Sequence, residues 1–504
     1  MNWTLYRFSH RGKGTPLKQG FHTRTHRWSH QPSAHDARWI PLPDSLQARV
    51  ITDPDPLTHA ECDLGHQHHQ APGLLLRPQS AHEVATAVRF AAQHGVPGVI
   101  AKGAGHATGG QALASQHGAL YLDMRSLNQI QVEHTHITLG AGATLRAAAE
   151  TAWTYGLRLT SGVTGYANLS VGGVLSAGGW SLDHVTGTIG DYADELQIVD
   201  GTGTIHTCSP SRDPELHRWV LGGLGQFGII TRAKLRLQPA RPYASFRVLR
   251  GMDHTEMLRA ARSLIRRGQL DSVYGRRRGH NPSWEILATA YHHRNDDPMP
   301  DMLRGAPDPD AHAGDPQPYI DQILSHDTDL YDPLIEQGWA EIPKRWWDYF
   351  LSDTTISGFL AAAHASEPDG MFGESAVALA MPKFRRSVGT GLRLPPPSAR
   401  GEGELVWLAD GLLDPGLHYS GDPHQWGRAA ESWIEHLTEE AAHRGATIYH
   451  IGNVQHSMLE HYQRTLDHVT ALRSEYDPVG LFGRGLWRTT EKPATAQQPA
   501  PHHD

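Results

Sequence analysis

KGAGHATGG, Lys102 to Gly110, sets one histidine, His106, among four glycines. It follows Val96-Pro-Gly-Val-Ile-Ala101, an apolar run that reads as a buried strand. Glycine lets the main chain approach a bound group closely, and successive N–H groups in such a loop cradle an anion. None of that needs an imidazole, so His106 requires a role of its own. Two further stretches extend the pattern. Ser170-Val-Gly-Gly-Val-Leu-Ser-Ala-Gly-Gly-Trp180 combines two glycine pairs with two hydroxyls, and Leu221-Gly-Gly-Leu-Gly-Gln-Phe-Gly-Ile-Ile-Thr231 runs a glycine turn into a strand. Each alone is compatible with a tightly packed turn. Neither the P-loop pattern nor a G-x-G-x-x-G opening a helix is present. As a set, the three loops suggest a large phosphate-bearing cofactor lying along one domain.

The chain has 504 residues, too many for one core and enough for two or three domains. Its formal charge of −8, with Arg276-Arg-Arg278 as a short basic run, argues against nucleic acid as a partner. Two cysteines, Cys62 and Cys208, exclude a disulfide framework and a cysteine-type zinc site. The 35 histidines group most tightly as His66-Gln-His-His69, His134-Thr-His136 and His292-His293. None has the spacing of a hydrolytic metal site, so no metal is expected. The first thirty residues are polar and basic without a signal-peptide core. No window approaches the roughly 20 apolar residues of a spanning helix. The expectation is a soluble, cytoplasmic protein with no membrane partner.

Residues 1–45 lack periodicity and read as an extension. Leu74-Leu-Leu76 reads as a strand, and Ser80 caps a helix over Ala81 to His94 that Gly95 stops. Ala119 to Asp123 and Ile137 to Ala141 read as strands, and Thr144 to Tyr155 as a helix. Glu195 to Cys208 reads as a hairpin turning at Gly201-Thr-Gly203, and Ile229 to Leu237 as a strand. Pro239 and Pro242 punctuate a boundary, after which Trp, Tyr, Arg and Pro increase. Asp296 to Pro318 reads as a long loop and Leu394 to Ser398 as a break. Trp426 to Gly445 and Leu459 to Glu475 read as amphipathic helices, and 491–504 as a disordered tail.

The three glycine stretches, in this order, closely resemble the FAD-binding (PCMH-type) domain of the vanillyl-alcohol oxidase superfamily. LGGLGQFGIITRAKL, with Gln226, is most similar to cytokinin dehydrogenases, with berberine-bridge-like oxidases as the neighbouring branch. YDPVGLFGRGLW, Tyr476 to Trp487, is similar to the segment that returns to close the FAD domain. The resemblance covers residues 70–243 closely and 446–488 more weakly. It implies an α+β protein of two domains. The FAD domain would comprise 46–243 and 446–490, and an antiparallel-sheet substrate domain, 244–445, would cap the flavin. It implies FAD contacts from Lys102, Gly103, Ala104, Gly105, His106, Ala107, Gln111, Gly165, Ser170, Gly172, Gly173, Ser176, Ile230 and Tyr449. By the same resemblance, His106 bonds covalently to the methyl group at the eighth position of the flavin ring. A histidine that only hydrogen-bonds a non-covalent flavin is the alternative.

The chain departs from the family where substrate is met. Val163-Thr-Gly-Tyr166 matches the W-T-D-Y of cytokinin dehydrogenases and puts Gly165 in place of an aspartate that accepts the substrate amine's proton. Leu270-Asp-Ser-Val-Tyr-Gly275 is similar to D-Y-V-E-G, with Tyr274 in the glutamate's place. Tyr166 stands where the berberine-bridge branch has its second flavin-bonding cysteine, and Leu486 where a flavin-edge glutamine is expected. Tyr274, Tyr449 and Tyr166 are the remaining candidate bases, although a phenol of pKa about 10 needs help to serve. Trp284, Trp346, Trp347 and Tyr349 line a pocket or form core, and Glu285 and Asp348 are the acids beside them. The reading is an FAD-dependent oxidoreductase that removes a hydride from a C–H next to oxygen or nitrogen of a small organic, specialised-metabolite substrate, with dioxygen or another acceptor. A cytokinin-type amine dehydrogenase and a non-catalytic flavin-binding resistance protein are its alternatives. The oligomeric state stays open.

Overall fold

The structure, a computed structural model, describes residues 19–29, 36–66, 68–296, 298, 302–303, 315–389, 391–397, 404–449 and 463–482. The first layer is a small parallel sheet in the order Leu74–Leu76, Leu120–Asp123, Val99–Lys102. Helix Ala81–His94 makes the crossover. Ser80 Oγ accepts the Glu83 N–H at its start, and Gly95, at φ 68, ends it in the left-handed region. A second sheet follows in the order Ile205–Cys208, Ala193–Val199, Ile229–Pro239, His136–Gly140, Ile130–Glu133. Leu157–Leu159 adds to the far end of Ile229–Pro239. Helices Leu145–Thr154 and Val171–Ala177 bury Leu145, Ala148, Val171 and Leu175 against this sheet.

The residues from Tyr243 onward build an eight-stranded sheet whose neighbouring strands are all antiparallel. Helices His254–Arg267, Ile356–Ala365 and Pro423–His443 cover one face. Strand alternation decides which side chain goes where. In Arg345–Ser352, Trp347, Tyr349 and Leu351 pack under the helices, while Trp346 and Phe350 join the opposite face. On that opposite face Met381 pairs with Leu408, Leu379 with Asp410 and Val377 with Leu412. It faces the glycine loops of the first domain.

Three sequence expectations change. The segment 1–45 is not all extension: Gly20–His22, Arg27–Ser29 and Trp39–Pro41 form a three-stranded sheet, and Phe21 is buried beside Leu42, Leu46, Leu74 and Val84. Strands of three residues are too short to show a period. Thr447–Ile448 pairs with Tyr349 and Phe350, so the capping sheet still holds the chain past residue 446. The Trp426 helix starts earlier, at Pro423, where the Asp422 carboxylate accepts the His424 N–H. Helix Gln463–Tyr476 overlaps the expected 459–475 helix and runs one residue past it; residues 459–462, most of 296–318 and the tail from 491 lie outside the described residues.

Candidate active site

Between the glycine loops and the open face of the antiparallel sheet lies a cleft of about 2000 Å³ including its mouth. Of the residues expected at FAD, Gly103, Ala104, Gly105, His106, Ala107, Gln111, Gly165, Ser170, Gly172, Gly173, Ser176, Ile230 and Tyr449 all line it, as does Tyr166. The opposing wall is Tyr331, Trp339, Trp346, Leu379, Met381, Leu408, Asp410 and Leu412. Glycine is required at the floor by contact. A Cβ on Gly103 would sit 1.9 Å from Ser170 Oγ, and one on Gly172 would sit 2.9 Å from the Ala141 Cβ. Gly105 is held at φ +82, with His59 against it.

Lys102 does not line the cleft. Its ammonium donates to the carbonyl oxygens of His59 at 2.8 Å, Ala60 at 3.2 Å and Cys62 at 2.6 Å. Burial brings its pKa down to about 8. It ties the 59–62 segment to the strand that delivers the His106 loop. Tyr274 is not among the lining residues: it clusters with Trp180, Met381 and Leu408, which are, and its hydroxyl pairs with His326 Nε2 at 2.8 Å. Trp284, Trp347 and Tyr349 are core; of that group Trp346 alone reaches the cleft. Gln226 is buried, donating to the Gly223 carbonyl at 3.3 Å. Leu486 lies outside the described residues.

The floor suits FAD on two observations. The main-chain N–H groups of Ala104, Gly105, His106 and Ala107 meet no acceptor among the described residues, and Ser170, at the start of helix Val171–Ala177, makes no side-chain capping bond. Unpaired donors beside a bare main chain are what a diphosphate uses. The His106 ring lies 4.5 Å from the Tyr166 ring, tilted by 49°. Burial, with the nearby charges of His59 and Lys344, holds its pKa down at about 4. The imidazole is therefore neutral at neutral pH, with a lone pair free to form a bond.

The three candidate tyrosines are poorly prepared as bases. Burial raises the pKa of Tyr166, Tyr274 and Tyr449. The Tyr449 hydroxyl also accepts the Trp180 N–H at 3.3 Å. The acid that the sequence reading passed over is Asp410, a lone carboxylate in Leu405–Leu413, a strand buried along its whole length. Asp410 lies directly across the ladder from Asp348. Trp346 Nε1 donates to Asp410 Oδ2 at 2.7 Å. With both ionised, Asp348 Oδ1 and Oδ2 and Asp410 Oδ1 have no donor. Burial raises both pKa values, and repulsion from Asp410 adds to the rise at Asp348, which lies well above the usual carboxylate range. Repulsion between two buried carboxyls this close favours a single proton between them, and of the two it is Asp410 that lines the cleft. The signal in the sequence is a single acid at the centre of an otherwise apolar strand.

Among the described residues no cluster of three metal-ligating side chains occurs, and no helix is long and apolar enough to cross a membrane. Residues 72–209 match the family described as FAD binding domain. Cytokinin dehydrogenase 10 of Oryza sativa subsp. japonica is 35% identical over 210 residues, 39% of this chain and 37% of that protein. An uncharacterized oxidoreductase, ORF5 in the fasciation locus of Rhodococcoides fascians, is 36% identical over 192 residues, 38% of this chain and 43% of that protein. The chain thus aligns with about two fifths of the length of these relatives. Among solved structures, Physcomitrella patens BBE-like 1 superposes with a TM-score of 0.68 over 86% of this chain and 95% of its own, at 17% identity. The 6-hydroxy-D-nicotine oxidase of Arthrobacter nicotinovorans does so with a TM-score of 0.63 over 87% and 97%, at 19% identity.

Proposed function

We propose that this chain, which belongs through its PCMH-type FAD-binding domain to the vanillyl-alcohol oxidase superfamily, oxidises a small organic alcohol or amine at a C–H next to oxygen or nitrogen. FAD supplies, when bound, the acceptor for the hydride and passes the two electrons on to dioxygen or another oxidant. The residues of the chain do the rest. The 104–107 amides and Ser170 hold the diphosphate, and the neutral His106 imidazole is the group for covalent attachment. Asp410 accepts the O–H or N–H proton as the C–H bond breaks, so that an alcohol leaves as a carbonyl compound and an amine as an imine. Trp346 Nε1 orients the accepting carboxylate. Asp348, carrying the shared proton, stabilises the anion between turnovers. The apolar side chains around Asp410 exclude water and keep it from being solvated as an ordinary surface acid.

The observation that carries this reading is a carboxyl pair at the cleft wall, with Asp410 as the member facing the space. General-base catalysis contributes roughly 10²–10⁴-fold. Asp410→Asn is therefore expected to slow anaerobic bleaching of the flavin, by whichever members of an alcohol and amine panel bleach the wild type, by that factor. The flavin spectrum should not change. Bleaching at the wild-type rate would remove Asp410 from the mechanism. The matches to cytokinin dehydrogenases favour a second reading, amine dehydrogenation with Asp410 in place of the acid missing at Gly165. Turnover of isopentenyladenine with a dye acceptor separates the two. A flavin that no member of the panel reduces would favour a binding protein.

A further inference from the structure

Eight glycines line the cleft: Gly103, Gly105, Gly165, Gly172, Gly173, Gly179, Gly225 and Gly228. Gly103, Gly172 and Gly173 would place a Cβ within 3.0 Å of Ser170 or Ala141. Gly105, Gly179, Gly225 and Gly228 have φ values of +82, +72, +74 and +150, which a side chain resists. Gly165 has neither reason. Its φ lies outside the left-handed region, and nothing stands within 4 Å of where its Cβ would be. The fold does not need a glycine there, so the empty volume calls for another explanation.

The position of Gly165 supplies one. The next residue, Tyr166, meets Tyr331 of the capping domain edge-on, with ring centroids 5.1 Å apart. The Ala167 N–H donates to Asp327 at 2.8 Å, and Asp327 opens the π-helical turn, Asp327–Tyr331, that presents Tyr331. Arg146 holds the same Asp327 carboxylate at 2.9 Å. The Gly165 loop is therefore latched to the capping domain. That domain's wall offers Tyr331, Trp339, Trp346, Leu379 and Leu412. Among the described lining residues there is no Lys, Arg or Glu, and the titratable side chains besides tyrosine are His106 and Asp410. A carboxylate or phosphate on the substrate would find no counter-charge, whereas a flat apolar group would find stacking partners.

We infer that Gly165 is a specificity-determining residue, whose missing side chain leaves a subsite beside Tyr166 and Tyr331 for an uncharged, flat aromatic group of the substrate. This rests on the cleft being a substrate site, but not on which bond is oxidised there. The test is calorimetric titration of the flavin-loaded protein with phenol and with 4-phenylphenol, neutral probes that differ by one ring. Wild type is expected to bind 4-phenylphenol at least about ten-fold more tightly, the scale of burying one further apolar ring. Gly165→Leu, whose Cβ would meet nothing within 4 Å, is expected to bring that ratio below about two. Equal ratios in the two proteins, no binding of either probe, or loss of flavin from Gly165→Leu would each overturn the inference, the last by assigning the space to the cofactor. Binding heat needs no turnover. A ratio that Gly165→Leu collapses, in a protein whose flavin no substrate reduces, would break the oxidase reading and leave this one standing.

Discussion

The floor and the roof of the cleft recognise by different means. From Gly103 to Gly228 the floor offers main chain, and its residues are chosen for what they lack. The roof offers side chains: Trp346, Leu379, Met381, Leu408, Asp410 and Leu412 from alternate positions of neighbouring strands, and Tyr331 and Trp339 from the helical turns before them. A main-chain site tolerates little change, because one added carbon fills the room a ligand needs. A sheet face can exchange its outward residues while its ladder bonds remain. This contrast gives a physical reason for the comparisons with known proteins. The curated relatives align with about two fifths of this chain, and the matched family model covers residues 72–209, within the floor-bearing domain. The likeness to solved structures extends over the roof domain at 17–19% identity.

The contrast can be broken most severely at the floor. Gly103→Val is expected to abolish flavin binding, read as loss of visible absorbance in a protein that still folds, because its Cβ would overlap Ser170 Oγ. A yellow Gly103→Val would show that the floor is not a main-chain site. On the roof, Asp410→Asn should leave the flavin in place and remove reactivity, as described above. His106→Ala should keep FAD but release its colour into the supernatant on acid precipitation, where the wild type should hold it in the pellet. The same histidine has a pH signature. Its folded pKa lies below the unfolded value, so the neutral form persists as pH falls and is lost only near pH 4. Covalent incorporation of FAD into apoprotein should accordingly hold down to about pH 5. An unshifted imidazole would lose it around pH 6.5. The smallest effect is expected at Ser80→Ala, far from both walls. It removes the N-cap of helix Ala81–His94 and should cost about 1 kcal/mol in a denaturant titration without altering the flavin spectrum.

Much of the floor is legible in the sequence because its information is local. Ser80 and Gly95 bracket a helix that occupies the residues between them, and Thr144 caps its helix through the Ala147 N–H. The glycine loops announce close approach whatever surrounds them, and all but Lys102 of the residues expected at FAD line the cleft. Lys102, expected at FAD by the resemblance, instead donates to carbonyls of a segment some forty residues earlier, which no local pattern announces. The candidate bases rest on elimination. With Gly165 and Tyr274 in the places of the expected acids, tyrosines are the polar groups left, and nothing local shows that burial keeps their hydroxyls protonated.

What the sequence by itself determined is therefore the FAD-binding scaffold: its α+β class, its loops and the histidine set among their glycines. These depend on residue type and spacing over a few positions. Tertiary structure alone decided that Asp348 meets Asp410, that Trp346 turns toward the cleft while Trp347 turns into the core, and that Gly165 opens onto empty space. Each depends on the register between strands or on the docking of one domain against another. A one-residue slip in such a ladder would exchange every inward side chain for its outward neighbour.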